Sequence, residues 1–146
     1  MDFEKAIALF EGSGNTCMIF DGEKAVRTFQ DHGIKPLVFT LMEEPALLED
    51  ATVTDAVIGR AAALLCVEGR AKQVYGRLMS KGAQKVLEDA GIHHRAATVV
   101  EQIENRDRTD TCPMEKKVAH TADSHEAYVI FSTFLKAKME EEAAGK

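Results

Sequence analysis

"TDAVIGRAAALLCVEG", residues 54–69, is the stretch on which the fold turns. Its apolar positions 57, 58, 61, 62 and 65 keep a helical period. Thr54 or Asp55 stands ready as the N-cap and Gly69 as the residue that ends the helix. Three alanines and Gly59 make the helix thin, suited to lying close against a sheet. The next segments along the chain fit that picture. "AKQVYGRL" (71–78) reads as a buried strand. "SKGAQKVLEDAGI" (80–92) reads as a helix capped by Ser80, with Gly91 past its end and Ile92 placed for the usual apolar contact. "HRAATVV" (94–100) reads as another strand.

Working outward to the N-terminus, "TCMIF" (16–20) and "KAVRTF" (24–29) flank Asp21-Gly22, a strong hairpin signal. Phe3, Ile7 and Phe10 predict a helix over 2–11, and a short helical segment over 36–43 stops at Glu44-Pro45. Toward the C-terminus, Pro113 opens a short helix. "DSHEAYVIFSTFLKAKMEEE" (123–142) is a long one, with Asp123 and Glu126 in capping-box register. Its stripe is Ala127, Tyr128, Phe131, Phe134, Leu135 and Met139. A hairpin followed by β–α–β–α–β alternation predicts an α/β fold, a three-layer α-β-α sandwich with a mixed sheet and a long C-terminal helix. One domain is expected over residues 1–140, with 141–146 a fraying tail.

Composition narrows the function classes. The 146 residues are 45% hydrophobic and 29% charged, a globular balance long enough to bury roughly 68–70% of the unfolded surface. A net charge of −6 argues against general nucleic-acid binding, which needs a basic face to displace counterions. No apolar run approaches the ~20 residues of a membrane span. The acidic, amphipathic start is unlike a signal peptide. Three cysteines are too few for a disulfide framework. The expectation is a cytoplasmic protein.

"GRAAALL", "MSKGAQKVLEDAGI", "NRDRTDTCPME" and "HGIKPL" together resemble an uncharacterised prokaryotic family of unknown function with a cytidine-deaminase-like fold. The likeness runs from about residue 15 to 116 and implies the three-layer architecture, but no established activity. The deaminase reaction itself needs zinc, held by His or Cys at one helix start and two Cys at the next, and a glutamate two residues after the first ligand. Neither "TDAVIGRA" nor "LMSKGA" supplies such ligands, and the chain has no H-x-E and no C-x-x-C. "SHEAY" puts His125 and Glu126 about 100° apart on a helix, the wrong spacing. The sequence therefore predicts deaminase-like architecture without zinc, and no cofactor.

The candidate site residues gather at predicted helix starts and strand ends. Pro113 at the first helical position and Glu115 at the third put Cys112 at the N-cap, where the helix dipole and Arg106 or Arg108 would favour a thiolate. Cys112 reads either as a nucleophile or redox-sensitive thiol, or as a plain helix start. Asn105 and Arg106 leave the last strand where open α/β sheets bind ligands, and a guanidinium suits a phosphate or carboxylate. Arg106 and Arg108 could equally pair with Asp107 and Asp110. Asp55 reads as a cap or as a group facing the cleft, Arg60 as a snorkelling cation or an anion ligand, Ser80 as a cap or a ligand contact. Cys17 and Cys66 read as buried hydrophobes. His93 and His94 alternate faces, and His120, His125 and Cys112 match no zinc spacing, so no metal site is expected. The leading expectation is a small anionic or nucleotide-like ligand bound in a zinc-free cleft. The alternatives are a homodimer or other interaction domain using the C-terminal helix, and thiol or sulfur chemistry at Cys112.

Overall fold

The computed structural model describes residues 3–31, 33–104 and 110–144. Helix α1 (Phe3–Glu11) precedes the hairpin β1 (Cys17–Asp21) and β2 (Lys24–Phe29). Then come α2 (Lys35–Glu43), β3 (Thr52–Ile58), α3 (Arg60–Gly69), β4 (Gln73–Ser80), α4 (Lys81–Asp89) and β5 (His93–Val100). The short α5 (Pro113–Lys117) and the long α6 (Ser124–Ala144) complete the chain.

The sheet has the order β2-β1-β3-β4-β5. β1 pairs antiparallel with both β2 and β3, whereas β3, β4 and β5 are parallel. The mixed α/β sheet expected from the sequence is thus present, and it has five strands, with one substantive correction. Residues 54–58 do not begin a helix. They belong to β3, the middle strand, and α3 starts only at Arg60. Five of the seven β3 residues are β-branched, which stiffens the side chains and suits a pleated ladder. The helical spacing of Val57 and Ile58 with Ala61 and Ala62 is a coincidence of a strand running straight into a helix. Gly59, extended at φ −96° and ψ −175°, is the N-cap in place of Thr54 or Asp55.

At the other end of α3 the left-handed residue is Arg70, at φ 64°. Gly69 is still helical and buried, and serves a different need. A Cβ there would lie 2.6 Å from Leu48 Cβ. Gly69→Ala should therefore cost about 1–3 kcal/mol in urea unfolding, by overpacking against Leu48. An unchanged midpoint would mean that the Leu48 segment yields freely.

Two apolar clusters mark the two faces. Phe3, Ala6 and Phe10 of α1 pack on Met18, Phe20 and Tyr75. On the opposite face Cys17, Ile19, Val53 and Val74 meet α2, α3 and α4, and Phe131 and Leu135 of α6 join that larger cluster. α6 packs chiefly on α3 and α2, so it lies over the helical layer and not on the sheet. Asp123 Oδ1 accepts from the backbone N–H groups of His125 and Glu126 at its start. No helix of the described residues is long and apolar enough to cross a membrane.

Candidate functional site

The parallel strands end together, and the best-defined polar structure lies just beyond β3. There α3 begins, and its exposed N–H groups need acceptors. They are supplied from the far side of the chain: Glu115 of α5 accepts from Arg60 N at 2.6 Å through Oε1 and from Ala61 N at 2.7 Å through Oε2. A negative carboxylate at the positive end of a helix is favourable twice over, as hydrogen-bond acceptor and as charge. The carboxylate comes so close that a Cβ on Gly59 would lie 2.3 Å from Oε1 and 2.8 Å from Ile103 Cγ1. Glycine is required there by contact and not by a special φ. The Arg60 guanidinium completes the knot. Its Nε donates to the Val118 carbonyl at 3.2 Å, and an Nη donates to the Thr121 carbonyl. Arg60 is thus neither a snorkelling cation nor a side chain aimed at the cleft. It binds α3 to the segment joining α5 and α6.

Asp55 is placed just as differently. It is buried in β3, with its Oδ1 accepting from Val57 N at 3.2 Å. Its partner across the antiparallel ladder is Cys17, whose thiol lies beside it, and Cys66 of α3 is close enough to feel its charge. Burial raises the Asp55 carboxyl from 3.8 to about 7, against the lowering effect of the Val57 N–H and the Cys17 thiol. Burial also raises both thiols, and the neighbouring carboxylate raises them further. All of this lies within the core.

Ser80 caps α4, accepting from Ala83 N at 3.1 Å. Cys112 is the N-cap of α5 with Pro113 after it, as expected, though its side chain makes no capping hydrogen bond. Its backbone N–H donates to the Ile103 carbonyl at 2.8 Å, which closes the loop. The sulfur is half-buried, unlike those of Cys17 and Cys66. Alkylation of the native protein should therefore modify Cys112 at least tenfold faster than either core thiol, and mass mapping after a timed iodoacetamide pulse reads the order. Equal labelling of all three would contradict the burial pattern. Asn105, Arg106 and Arg108 lie outside the described residues.

Of the sequence-predicted residues in the described part, Cys112 and Glu115 meet in one cavity; Asp55, Arg60 and Ser80 are not among its lining. That cavity, about 60 Å³, sits between the N-termini of α2 and α3, with Gly33, Ile34, Val57, Gly59 and Met114 among its walls. It adjoins a larger one of about 290 Å³ between α2, α5 and α6, because Gly33, Ile34 and Met114 line both. The larger cavity is apolar at its base, with Val38, Phe131 and Leu135, and carries Lys35, Lys138 and Glu142. Lys35 and Lys138 were missing from the expected site. The only hint in the sequence was the aromatic stripe of α6 combined with "HGIKPL", and nothing in either segment says that they meet. Arg60 lines a separate hollow of about 250 Å³ with Lys85 and Asp89.

A further polar cluster ties α6 to α3: Glu68 accepts from Ser124 Oγ at 3.0 Å and from the His125 ring at 2.7 Å. That contact raises the His125 pKa above its ordinary 6.5. Among the described residues no group of three or more His, Cys, Asp or Glu side chains could hold a metal ion.

Comparison with known proteins places these features. A family model described as a domain of unknown function, DUF1893, matches residues 5–135. The crystal structure of a DUF1893 family protein from Thermotoga maritima superposes with a TM-score of 0.81 at 24% identity, covering 89% of this chain and 87% of that one. At that identity the likeness speaks for the fold alone. No curated protein matches the chain.

Proposed function

The chain belongs to the DUF1893 family, a domain of unknown function, and from that premise we propose that it is a ligand-binding protein of cytidine-deaminase-like architecture. On this reading it takes a small anionic or nucleotide-like ligand in the cleft running from Cys112 to Lys138. One observation carries the reading. Two adjoining cavities share Gly33, Ile34 and Met114; the smaller lies at the carboxyl end of the middle strand, and two lysines line the larger on a chain whose net charge is −6. The strand order β2-β1-β3-β4-β5 and the helices on both faces agree with the architecture that the resemblance implies. The donor set does not fit zinc-dependent deamination. α3 opens Gly59-Arg60-Ala61, with no thiol or imidazole, and its N–H groups are taken up by Glu115.

A thermal-shift screen with inorganic phosphate, short carboxylates and nucleoside monophosphates tests the reading. Stabilisation that rises with the concentration of one anion class is the expected result. A flat response throughout would overturn it.

The second reading is a non-catalytic homo-oligomeric interaction domain. It is favoured by the exposed Val129, Phe134 and Met139 on α6. A strict monomer by sizing chromatography at high concentration would remove it. Thiol or sulfur chemistry at Cys112 ranks third, since Glu115, the carboxylate that shares its cavity, is engaged by the N–H groups of Arg60 and Ala61.

A further inference from the structure

We propose that the ligand of this cleft is an amphiphilic monoanion: a carboxylate head on an apolar body, the head read by Lys35 and Lys138 and the body by α6. The inference rests on the ligand-binding reading of the cleft and narrows its chemistry.

The body is indicated by what lines the larger cavity. Val38, Phe131 and Leu135 form a base that is almost wholly buried, while Phe134 and Met139 stand 38% and 44% exposed beside it. Large apolar side chains at a concave surface of about 290 Å³ leave area that an apolar ligand can remove from water. A hydrophilic ion would leave that surface wet. Phe134 is also held in place, with Lys117 Nζ 4.7 Å from its ring centroid.

The head is indicated by charge. Lys35 is the first residue of α2, and Lys138 projects from α6 into the same cavity. Among the described residues neither has an ion-pair partner, whereas Lys5, Arg27, Arg77, Lys81 and Arg95 each have a carboxylate. The N-cap of α2 is Ile34, which offers no side-chain acceptor, so the positive end of that nine-residue helix adds to the same potential. Among the described residues Glu142, a turn beyond Lys138, is the one carboxylate lining the larger cavity, and Glu115 in the smaller one is taken up by the N–H groups of Arg60 and Ala61. Two cations against one anion leave room for a single negative charge. A polyphosphate would meet Glu142 without enough positive charge to offset it.

The test uses the full chain with methyl-labelled methionine. Octanoate should shift the Met114 and Met139 methyl signals and leave Met79, buried elsewhere in the core, unmoved. Its apparent Kd should be at least tenfold lower than those of 1-octanol and acetate, which carry the body or the head alone. The Lys35→Glu/Lys138→Glu double variant should lose at least tenfold in octanoate affinity and bind 1-octanol as before. Lys35→Met/Lys138→Met serves the same purpose should the charge reversal unfold the protein. Equal affinity for octanoate and 1-octanol, or binding that leaves Met114 and Met139 unmoved, would overturn the proposal. Binding of inorganic phosphate or a nucleoside monophosphate without octanoate would overturn it while leaving the ligand-binding cleft standing. Silence toward every compound would remove both.

Discussion

Asp55→Asn should flatten the pH dependence of stability between about pH 4 and pH 7, and by pH 8 the variant should be more stable than the parent by about 4 kcal/mol relative to their difference at pH 4. The size comes from a carboxyl held near 7 in the fold against 3.8 in the ordinary state, at ~1.4 kcal/mol for each pH step. The sign comes from proton linkage. A carboxyl whose pKa is higher folded than unfolded holds its proton preferentially in the native state. Its contribution is therefore complete below about pH 4, falls as the pH rises, and is gone above about pH 7. Asparagine keeps the shape and an acceptor for Val57 N–H but has no proton to lose. Urea unfolding of both proteins at half-unit steps from pH 4 to 8 gives the difference curve, in which the contributions of other titrating groups cancel. Parallel profiles would show that Asp55 ionises freely and that the β1–β3 seam is open to water.

The second large effect belongs to the knot at the start of α3. Glu115→Ala removes two charge-assisted hydrogen bonds from part-buried N–H groups and should cost about 2–3 kcal/mol. Glu115→Gln, which keeps one acceptor oxygen without the charge, should cost about half as much. Gly59→Ala should reach a similar loss from the other side, since its Cβ claims the space of Oε1. The two sites act through one contact, so the double variant should lose much less than the sum of the singles. Full additivity in a chemical-denaturation cycle would mean that Gly59 and Glu115 matter for unrelated reasons.

The outline of the fold was legible where local signals and tertiary structure agree. Ser80 and Asp123 cap the helices that their positions announce, and the hairpin closes next to Asp21-Gly22. β3 was illegible because the segment from Val57 to Leu65 satisfies a helical period although its first part is extended. Only pairing on both sides, with Cys17 and with Gly76, makes Asp55 a strand residue. That error carried the candidate site with it. Once Asp55 moves into the core and Gly59 becomes the cap, the Glu115 carboxylate takes up the N–H groups of Arg60 and Ala61, and the Arg60 guanidinium the carbonyls of Val118 and Thr121. The contact between Arg60 and Glu115 spans 55 positions along the chain, and no periodicity encodes it. The cleft was hidden for the same reason. Lys35 and Lys138 stand more than a hundred residues apart and share a cavity only because α6 folds back over α2.

The grip of residues 115–121 on α3 also sets an order of events during synthesis. All five strands precede residue 101, whereas Glu115, Val118 and Thr121, which seal the start of α3, are added later. Because the exit tunnel encloses the most recently added residues, these groups reach α3 only after further synthesis has carried them out of it. Until then the crossover behind the middle strand can still open, and chaperones and proteases compete for it in that interval.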